Sequence, residues 1–456
     1  MICERTRIFT AALALAGIFT AAAASAWEIP LTVEEYKGVA GPRRVTCGVP
    51  LLPGQAKDVK DLRLLSDARK PVAAQFRELA RWWRGDNSLR WVLVDFEADI
   101  GAKGKKTFIL TNAKVAAPGT KLTVKQDAAF ITVDTGAARF VVNRRNFNFL
   151  QKAIVDVNGD GKLADDEDLL ASTPQCGGVY EDTFGQKYLA SSGTTSVEVL
   201  ESGPMRVCIR ARGRNLAPPG KGYSPGMYRF DVFLNFYANS TDVYADVILG
   251  NHAPKPISIP AFEDGSLILK LAGGAKGFCL LGEEPVSGAL AAGESACVYQ
   301  DSNGADTWKV CSGFGKMLAS GWKQLPDQFT TFRGYKVLKR AAGKDEQELA
   351  KGDHARGTLL AWNDRGGVVA HIKSFWQQFP MAAECGADGT VRLGLWPREW
   401  KWPHFLTDGE AKGHEVVLHF FGARGAPGGY AKDSAGRPQV RSVADRTEVS
   451  PGRRQQ

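Results

Sequence analysis

Apolar and polar residues alternate strictly along several segments in the middle of the chain. Residues 205–212 place Met, Val, Ile and Ala on one face and Arg and Cys on the other, and residues 228–237 repeat the alternation. A period of two is typical of a strand with one buried face. The pattern resumes after residues 239–240, which predicts a long antiparallel hairpin. A further pair of strands is predicted at 366–373 and 413–421.

The residues before this region form shorter apolar stretches separated by glycine, proline and aspartate. They predict a small strand-rich unit at 27–115, joined through residues 116–119 to a larger region at 120–421. Residues 59–83 also fit a helical period, but Pro71 inside them favours strand and turn. The 50 glycines and 22 prolines suit many short strands joined by tight turns. The sequence therefore predicts an all-β protein with a large antiparallel β-sandwich.

The two ends of the chain differ from this body. Two arginines precede an apolar run at 8–24 that ends in a small-residue cleavage site, which predicts a signal peptide at 1–26. We therefore expect export to the periplasm or beyond. The run is shorter than the ~20 apolar residues of a bilayer-spanning helix, so no membrane insertion is expected. Residues 422–456 contain almost no large apolar residue and predict a disordered tail.

The net charge of the chain and the distribution of its basic residues indicate which classes of binding partner are expected. The formal net charge is +9 and the sequence pI is about 9.0, but the basic residues are scattered apart from those in the tail. A nucleic-acid interface would instead show a basic patch interleaved with aromatic residues on a recognised fold, so no nucleic-acid partner is expected. In an exported protein, mild basicity favours an acidic polysaccharide or an envelope surface.

The cysteine count leaves two interpretations open. Eight cysteines are present, and Cys3 belongs to the predicted signal peptide, so seven remain and cannot all pair internally. One or two disulfides that involve Cys279, Cys297 and Cys311 fit the count, and so do buried free thiols. Neither a CxxC motif nor a Cys/His ligand spacing occurs, so no zinc site is expected.

Five short motifs follow one another in a specific order. They are GVPL at 48–51, WRGDNSLRW at 83–91, ESGPMR at 201–206, FRGY at 332–335 and FWQQFP at 375–380. Together they resemble the exo-acting rhamnogalacturonan lyases and their bacterial relatives, over most of the chain that follows the predicted signal peptide.

This resemblance implies a RIFT-type β-barrel at 27–115 followed by a β-sandwich at 120–421. It also implies β-elimination on a polysaccharide that contains rhamnose and uronate. Lyases of this family continue into a helical α/α toroid, for which residues 422–456 offer no counterpart. The alternative is therefore a non-catalytic glycan-binding or scaffold protein, or a truncated and inactive remnant, that lacks the helical catalytic module.

The sharpest motif for a metal is DVNGDGKLADDE at 156–167, which matches the twelve-residue calcium-loop pattern. Ca²⁺ takes about six to eight oxygen ligands, and alternate residues of a tight loop supply them. The protein ligands predicted by the pattern are Asp156, Asn158, Asp160, Lys162 through its carbonyl, and Glu167. A water molecule at the position of Ala164 would complete the coordination of the ion. The alternative is a solvated acidic turn; we expect a structural Ca²⁺ inserted between strands of the sandwich.

A cluster of aromatic and basic residues lies near the end of the predicted sandwich. Its members are Trp396, Arg398, Trp400, Lys401, Trp402 and His404. Indole faces stack on sugar rings and Arg pairs with carboxylates, so the cluster has the parts of a saccharide-binding site. The interpretation that we favour is a loop that closes the end of the sandwich with its tryptophans in the core.

The sequence offers two candidate pairs for the base and the acid that β-elimination requires. His404 beside Arg398 is the first candidate for catalysis, and His371 with Lys373 on one strand face is the second. Motifs for serine hydrolases (G-x-S-x-G), nucleotide binding and zinc proteases (H-E-x-x-H) do not occur in the sequence. The catalytic base therefore stays open.

Overall fold

The computed structural model describes residues 26–36, 38–222, 226–251, 260–308 and 330–423. Almost all of the predicted signal peptide at 1–26 and of the predicted tail at 422–456 lies outside the described residues. Within them the protein is all-β, with antiparallel sheets and no α-helix, which confirms the predicted fold class. None of the described segments is a helix long and apolar enough to cross a membrane.

The first seven strands form two sheets around a core of their own. Their bounds are β1 Glu28–Glu34, β2 Gly41–Pro50, β3 Arg63–Ser66, β4 Pro71–Val72, β5 Ala74–Arg81, β6 Leu89–Ile100 and β7 Lys105–Thr111. The sheet orders are β1-β7-β3-β4 and β2-β6-β5. Alternate residues Val92, Val94 and Phe96 of β6 lie in the core between these sheets, so the period of two decides which face is buried. A 3₁₀ turn at Val59–Asp61 precedes β3, and strand and turn occupy 59–83 as predicted.

The remaining strands lie between residues 123 and 422, together with 3₁₀ turns at Asp165–Glu167 and Ala190–Ser192. The first group is β8 Thr123–Gln126, β9 Phe130–Asp134, β10 Ala138–Asn143, β11 Lys152–Val155, β12 Gly177–Asp182, β13 Lys187–Leu189, β14 Thr194–Ser202, β15 Arg206–Arg214, β16 Arg229–Tyr237, β17 Asp242–Gly250 and β18 Phe262–Lys270. The second group is β19 Gly277–Leu281, β20 Pro285–Ala289, β21 Glu294–Gln300, β22 Tyr335–Ala341, β23 Gln347–Gly352, β24 Thr358–Asn363, β25 Gly366–Ile372, β26 Met381–Gly386, β27 Thr390–Trp396 and β28 Ala411–Gly422.

Two large sheets bury their inner faces against each other. The nine-stranded sheet has the order β14-β15-β16-β17-β28-β25-β24-β19-β20, and the eight-stranded sheet has the order β13-β12-β18-β27-β26-β21-β22-β23. A four-stranded sheet, β11-β10-β9-β8, adds to the same core, where Phe140 packs 5.1 Å from Phe236 between ring centroids. The predicted hairpin is β16–β17, and the pair predicted near the end is β25–β28.

The cysteines that the structure describes are unpaired. Cys279, Cys297 and Cys385 are buried thiols, and so are Cys176 and Cys208. The free-thiol interpretation therefore holds for these positions. The structure describes nothing at residue 311, the third position of the disulfide hypothesis.

The small N-terminal sheets dock on the sandwich through directional polar contacts. The buried Gln75 amide donates to Glu201 Oε1 (2.6 Å) and accepts from the backbone N–H groups of Met205 (3.1 Å) and Arg206 (2.8 Å). A Cβ at Gly203 would lie 2.3 Å from the Gln75 side chain, so only glycine fits there. The 201–206 motif of the resemblance is therefore the turn that Gln75 holds.

A second contact at this interface is electrostatic. The Arg44 guanidinium lies over the rings of Tyr237 and Tyr244, at 4.5 and 4.8 Å from their centroids, and pairs with Asp242 at 2.7 Å. Burial opposes the charge on Asp242, but Arg44 and His419 outweigh it and hold the pKa of that carboxyl well below its usual range. The ion pair is therefore present throughout the neutral range.

Candidate functional site

The antiparallel pairing brings the long connections of the sandwich to one end. In the eight-stranded sheet, β27 ends where β26 begins, and β21 and β23 end where β22 begins. In the nine-stranded sheet, β24 and β28 begin where β25 ends. The connections 353–357, 373–380 and 397–410, each of which crosses between the two sheets, therefore meet at one end, which we call the loop end.

The outer face of the eight-stranded sheet holds a buried positive charge beside this end. Val391 and Leu393 of β27 face the core, so Arg392 between them faces outward, yet its side chain is only 3% exposed. Its guanidinium pairs with Asp264 (2.9 Å), Glu384 (2.8 Å) and Glu399. Three carboxylates from β18, β26 and the 397–410 connection therefore surround one arginine.

Two further arginines complete this set, which we call the arginine–carboxylate cluster. Arg340 of β22 pairs with Glu399 at 3.0 Å and Glu384 at 3.5 Å, and Arg398 pairs with Glu384 at 2.7 Å. The backbone N–H of Arg398 also donates to Asp264 at 3.1 Å. These contacts tie the start of the 397–410 connection to three strands of the sheet.

The electrostatics of the cluster favour the ionised form of Glu399 and of Glu384. Burial opposes the charge on Glu399, but Arg392 and Arg340 outweigh it, so the pKa of Glu399 falls to about 2. The same balance of burial against Arg392 and Arg398 lowers the pKa of Glu384. Ion pairs of this kind cost desolvation free energy, and they persist only where the opposite charges match closely.

The structure separates the tryptophans of the sequence-predicted cluster into two groups. Trp396 is buried in the main core, with ring contacts to Phe262 at 6.0 Å and His414 at 4.8 Å. Trp400 and Trp402 are half-buried in the connection beyond it. Trp396 thus lies in the core, as we expected for a loop that closes the end of the sandwich. Trp400 and Trp402 are partly exposed to solvent.

His404 and Arg398 point in different directions. His404 is 8% exposed, its ring lies 5.6 Å from that of Phe262, and Nε2 is 3.1 Å from the carbonyl of Pro397. Burial lowers the pKa of His404 to about 4. Arg398 lies on the outer face and its side chain is 54% exposed. The structure therefore does not bring this imidazole and this guanidinium together at one surface.

The second catalytic candidate pair is also split between two partners. His371 is buried and its Nδ1 lies 2.9 Å from Thr358 Oγ1, while Lys373 pairs with Glu415 at 2.6 Å. Burial lowers the pKa of His371 to about 4, with Lys373 adding to the effect. A neutral, buried imidazole here suits a structural role within β25.

The predicted calcium loop folds back on its own backbone. Asp156 Oδ1 accepts from the N–H groups of Gly159 (2.7 Å) and Asp160 (3.1 Å), and Asp156 Oδ2 accepts from Gly161 (2.9 Å). Both glycines have positive φ, +82° and +77°, as the tight turn requires. At the end of the loop, the buried Glu167 accepts from Val157 at 3.0 Å. The first and last acidic residues therefore close the loop.

The loop residues do not by themselves converge on one point. Among the described residues, no three or more His, Cys, Asp or Glu side chains form a group that could hold a metal ion. Asn158 Oδ1 and Asp160 Oδ1 accept from backbone N–H groups two residues further on, both at 2.8 Å, and Lys162 and Ala164 are exposed. The conformation fits a self-supporting turn, and calcium binding remains a proposal.

Sequence reasoning did not identify five members of the arginine–carboxylate cluster, namely Asp264, Arg340, Glu384, Arg392 and Glu399. Asp264 and Arg340 are far from the other members in sequence, and only the pairing of strands brings them beside Arg392 and Glu399. A signal was nevertheless present, because Glu384 and Arg392 are charged residues within short strands that are otherwise apolar. Such residues need a partner of opposite charge when they are buried.

Comparisons with known proteins give the fold a context. No family model matches the chain. The uncharacterized protein YetA of Bacillus subtilis is 22% identical over 445 residues, which cover 92% of this chain and 49% of YetA. The chain thus spans about half the length of this curated relative.

Solved structures with a similar fold include an alpha-mannosidase from Enterococcus faecalis, with a TM-score of 0.44, 10% identity and coverage of 92% of this chain and 45% of that one. They also include a putative aldose 1-epimerase from Klebsiella pneumoniae, with a TM-score of 0.34, 13% identity and coverage of 66% and 82%. The two packed sheets of this chain define a β-sandwich protein. Its structural neighbours include proteins named for their action on sugars.

The arginine–carboxylate cluster generates a stability prediction. Replacing Glu399 with Gln removes one of three carboxylates around Arg392, and breaking a buried pair on one side costs ~3–5 kcal/mol. The matched control is Glu346→Gln, because Glu346 pairs with Arg340 but is 44% exposed; an exposed pair contributes ~0–1 kcal/mol. Urea unfolding measures both free energies, and equal losses in the two variants would contradict the buried role of Glu399.

The buried histidines predict a pH dependence of stability. Burial lowers the pKa of His404 and His371 to about 4 and that of His414 to about 3. As the pH falls, the histidines of the unfolded chain are protonated before the buried ones. The contribution of the buried neutral histidines to the free energy of unfolding is therefore complete above about pH 6.5. It is lost as the pH falls from there toward 4, by up to ~1.4 kcal/mol per pH unit for each histidine.

The free energy of unfolding, measured between pH 7.5 and 4.5, tests this dependence. Neither ring nitrogen of His414 has a hydrogen-bond partner among the described residues, and the ring lies against Trp396. His414→Phe should therefore reduce the slope of the unfolding free energy against pH by about the contribution of one histidine. An unchanged slope would show that His414 is not buried in the neutral form.

Proposed function

We propose that this chain is an exported carbohydrate-active protein that binds an acidic polysaccharide, containing rhamnose and uronate, at its loop end. The observation that carries the proposal is the placement of Arg398. Its half-exposed guanidinium is held by the buried Glu384 and its backbone by Asp264. Trp400 and Trp402 follow it in the same connection. A half-exposed cation and two half-buried indoles therefore lie within five residues of one connection, whose start is held by buried carboxylates.

The chemistry of such a surface suits uronate-containing glycans. A guanidinium has several N–H donors, so Arg398 can keep its bond to Glu384 and pair a sugar carboxylate with the remainder. Indole rings supply flat apolar surface for the C–H face of a sugar. The net charge of +9 adds a general attraction for a polyanion.

β-Elimination on the same polymer is the second candidate function. Arg398 favours it, because neutralising the carboxylate of a uronate makes its C5 proton more acidic. The 332–335 and 375–380 motifs of the resemblance also lie at the loop end. His404 and His371 are buried and neutral, so the base must come from elsewhere.

Binding is tested by affinity electrophoresis in gels that contain rhamnogalacturonan. Replacing Arg398 with Gln removes one charge-assisted contact, of ~1.5–3 kcal/mol, and should weaken the apparent Kd by about tenfold or more. Trp400→Ala should weaken it as well. Arg212→Gln is the matched control, since Arg212 is also half-exposed and paired with a glutamate, but lies on β15.

Retention of the Arg398→Gln protein at the level of the Arg212→Gln protein would contradict the proposed site. Equal retention of the unchanged protein in gels with neutral and acidic glycans would contradict the proposed preference for uronate. The melting temperature of each variant shows whether a loss reflects binding or folding.

We propose in addition that the 156–167 loop binds Ca²⁺ as a structural ion; its sequence pattern supports this proposal. Binding to the folded state raises stability, so a hundredfold excess of Ca²⁺ over Kd should stabilise by ~2.7 kcal/mol. Glu167→Gln should abolish the effect. Asp166→Asn, at an exposed position outside the ligand pattern, is the control.

The measurements are calorimetric Ca²⁺ uptake and the melting temperature with and without EDTA. No uptake, together with a melting temperature that EDTA leaves unchanged, would show that the loop is a turn held by its own hydrogen bonds.

A further inference from the structure

A surface histidine at the loop end is held in one orientation. His354 lies in the connection between β23 and β24, and its ring packs on that of Trp376, with centroids 4.1 Å apart and planes at 32°. Its Nε2 is 2.9 Å from the backbone carbonyl of Asn303. A carbonyl only accepts, so Nε2 carries a proton, and in the neutral imidazole Nδ1 is the nitrogen with the lone pair. The exposed imidazole is therefore oriented with one basic nitrogen available.

The backbone that carries this ring is fixed by other side chains. Glu283 Oε1 accepts from the N–H groups of Asp353 (3.0 Å) and His354 (3.2 Å). The fully buried Gln300 accepts from the N–H of Ala355 (2.9 Å) and donates to the carbonyl of Asp353 (2.7 Å). Such support on both sides of one residue is what a catalytic side chain needs to hold its geometry.

A cation stands beside the imidazole. Ala355 is fully buried, whereas His354 and Arg356 on either side of it are exposed, so both side chains reach solvent within three residues of one connection. Residues two apart in extended chain are ~7 Å from each other. The backbone N–H of Arg356 donates to the carbonyl of Leu281 at 3.1 Å, which fixes its place. A base and a carboxylate-binding cation are thus neighbours.

We infer that His354 and Arg356 form a proton-abstraction site for uronates, an inference that rests on the proposed function. Arg356 pairs with the sugar carboxylate, and His354 Nδ1 takes the C5 proton. The electrons of the C5–H bond form the C4–C5 double bond, and the C4–O bond breaks with its electrons on the departing oxygen. That oxygen takes a proton from water, and the imidazolium returns its proton to the resulting hydroxide.

The position of this pair relative to Arg398 suits a polymer. At the loop end the order of strands from β27 to β23 is β27-β26-β21-β22-β23. Four steps of ~4.8 Å give ~19 Å between the strands that precede the two sites. The Arg398 surface would therefore hold other sugars of the same chain as the one that reacts at His354.

The test uses the full chain with rhamnogalacturonan and follows the ultraviolet absorbance of unsaturated uronates alongside retention in the affinity gel. His354→Gln keeps an amide donor for the Asn303 carbonyl, so the fold and glycan retention should be unchanged. Its rate of product formation should fall by ~10²–10⁴, the usual contribution of a general base. Arg356→Gln should lower both rate and retention. Lys351→Gln, at an exposed position on β23, is the control and should change neither.

The outcomes separate this inference from the proposed function. Unchanged protein that is retained by the glycan but forms no unsaturated product would overturn the inference and leave the binding proposal standing. A His354→Gln protein with a rate within twofold of the unchanged one would also overturn it. Product formation that survives Arg398→Gln with normal retention, yet is lost in His354→Gln, would support the base while contradicting the Arg398 surface.

Discussion

A buried positive charge needs partners of opposite charge, and the guanidinium of Arg392 imposes this constraint on several strands of the sandwich. Its side chain is almost completely buried, and its guanidinium pairs with three carboxylates. Asp264 and Glu384 come from neighbouring strands, but Glu399 comes from the connection beyond β27. The connection must therefore fold back over the sheet, and this return places Arg398 at the surface and Trp396 in the core. One charge thus organises the surface for which we propose glycan binding.

Local patterns in the sequence were sufficient for the strands and insufficient for the site. The alternation at 205–212 and 228–237 predicted β15, β16 and the hairpin to β17, because a half-buried strand shows its period within its own residues. The arginine–carboxylate cluster depends on which strands are neighbours, and that order is set by packing of the whole sandwich. His404 illustrates the limit, since its neighbours in sequence did not reveal that Phe262 covers its ring.

The two ends of the sandwich have different characters. The loop end carries long connections with polar and aromatic side chains, including the exposed His354 and the half-buried Trp376. At the opposite end β28 finishes beside Asp156, and the guanidinium of Arg365 donates to the carbonyls of Asp166 and Asp168. The 156–167 loop is thus tied to the turn between β24 and β25. An ion bound there would act on the stability of the sandwich and leave the loop end unaltered.

The contact between Gln75 and the 201–206 turn fixes the orientation of the small N-terminal sheets relative to the sandwich. An apolar patch tolerates sliding, because dispersion and the hydrophobic effect have little directional preference. One amide that bonds two successive backbone N–H groups and a carboxylate tolerates none. A shift by a single residue would break all three bonds and drive a Cβ into the space above Gly203. The orientation of the small N-terminal sheets on the sandwich is therefore set by the directions of these hydrogen bonds and not by the area of the interface.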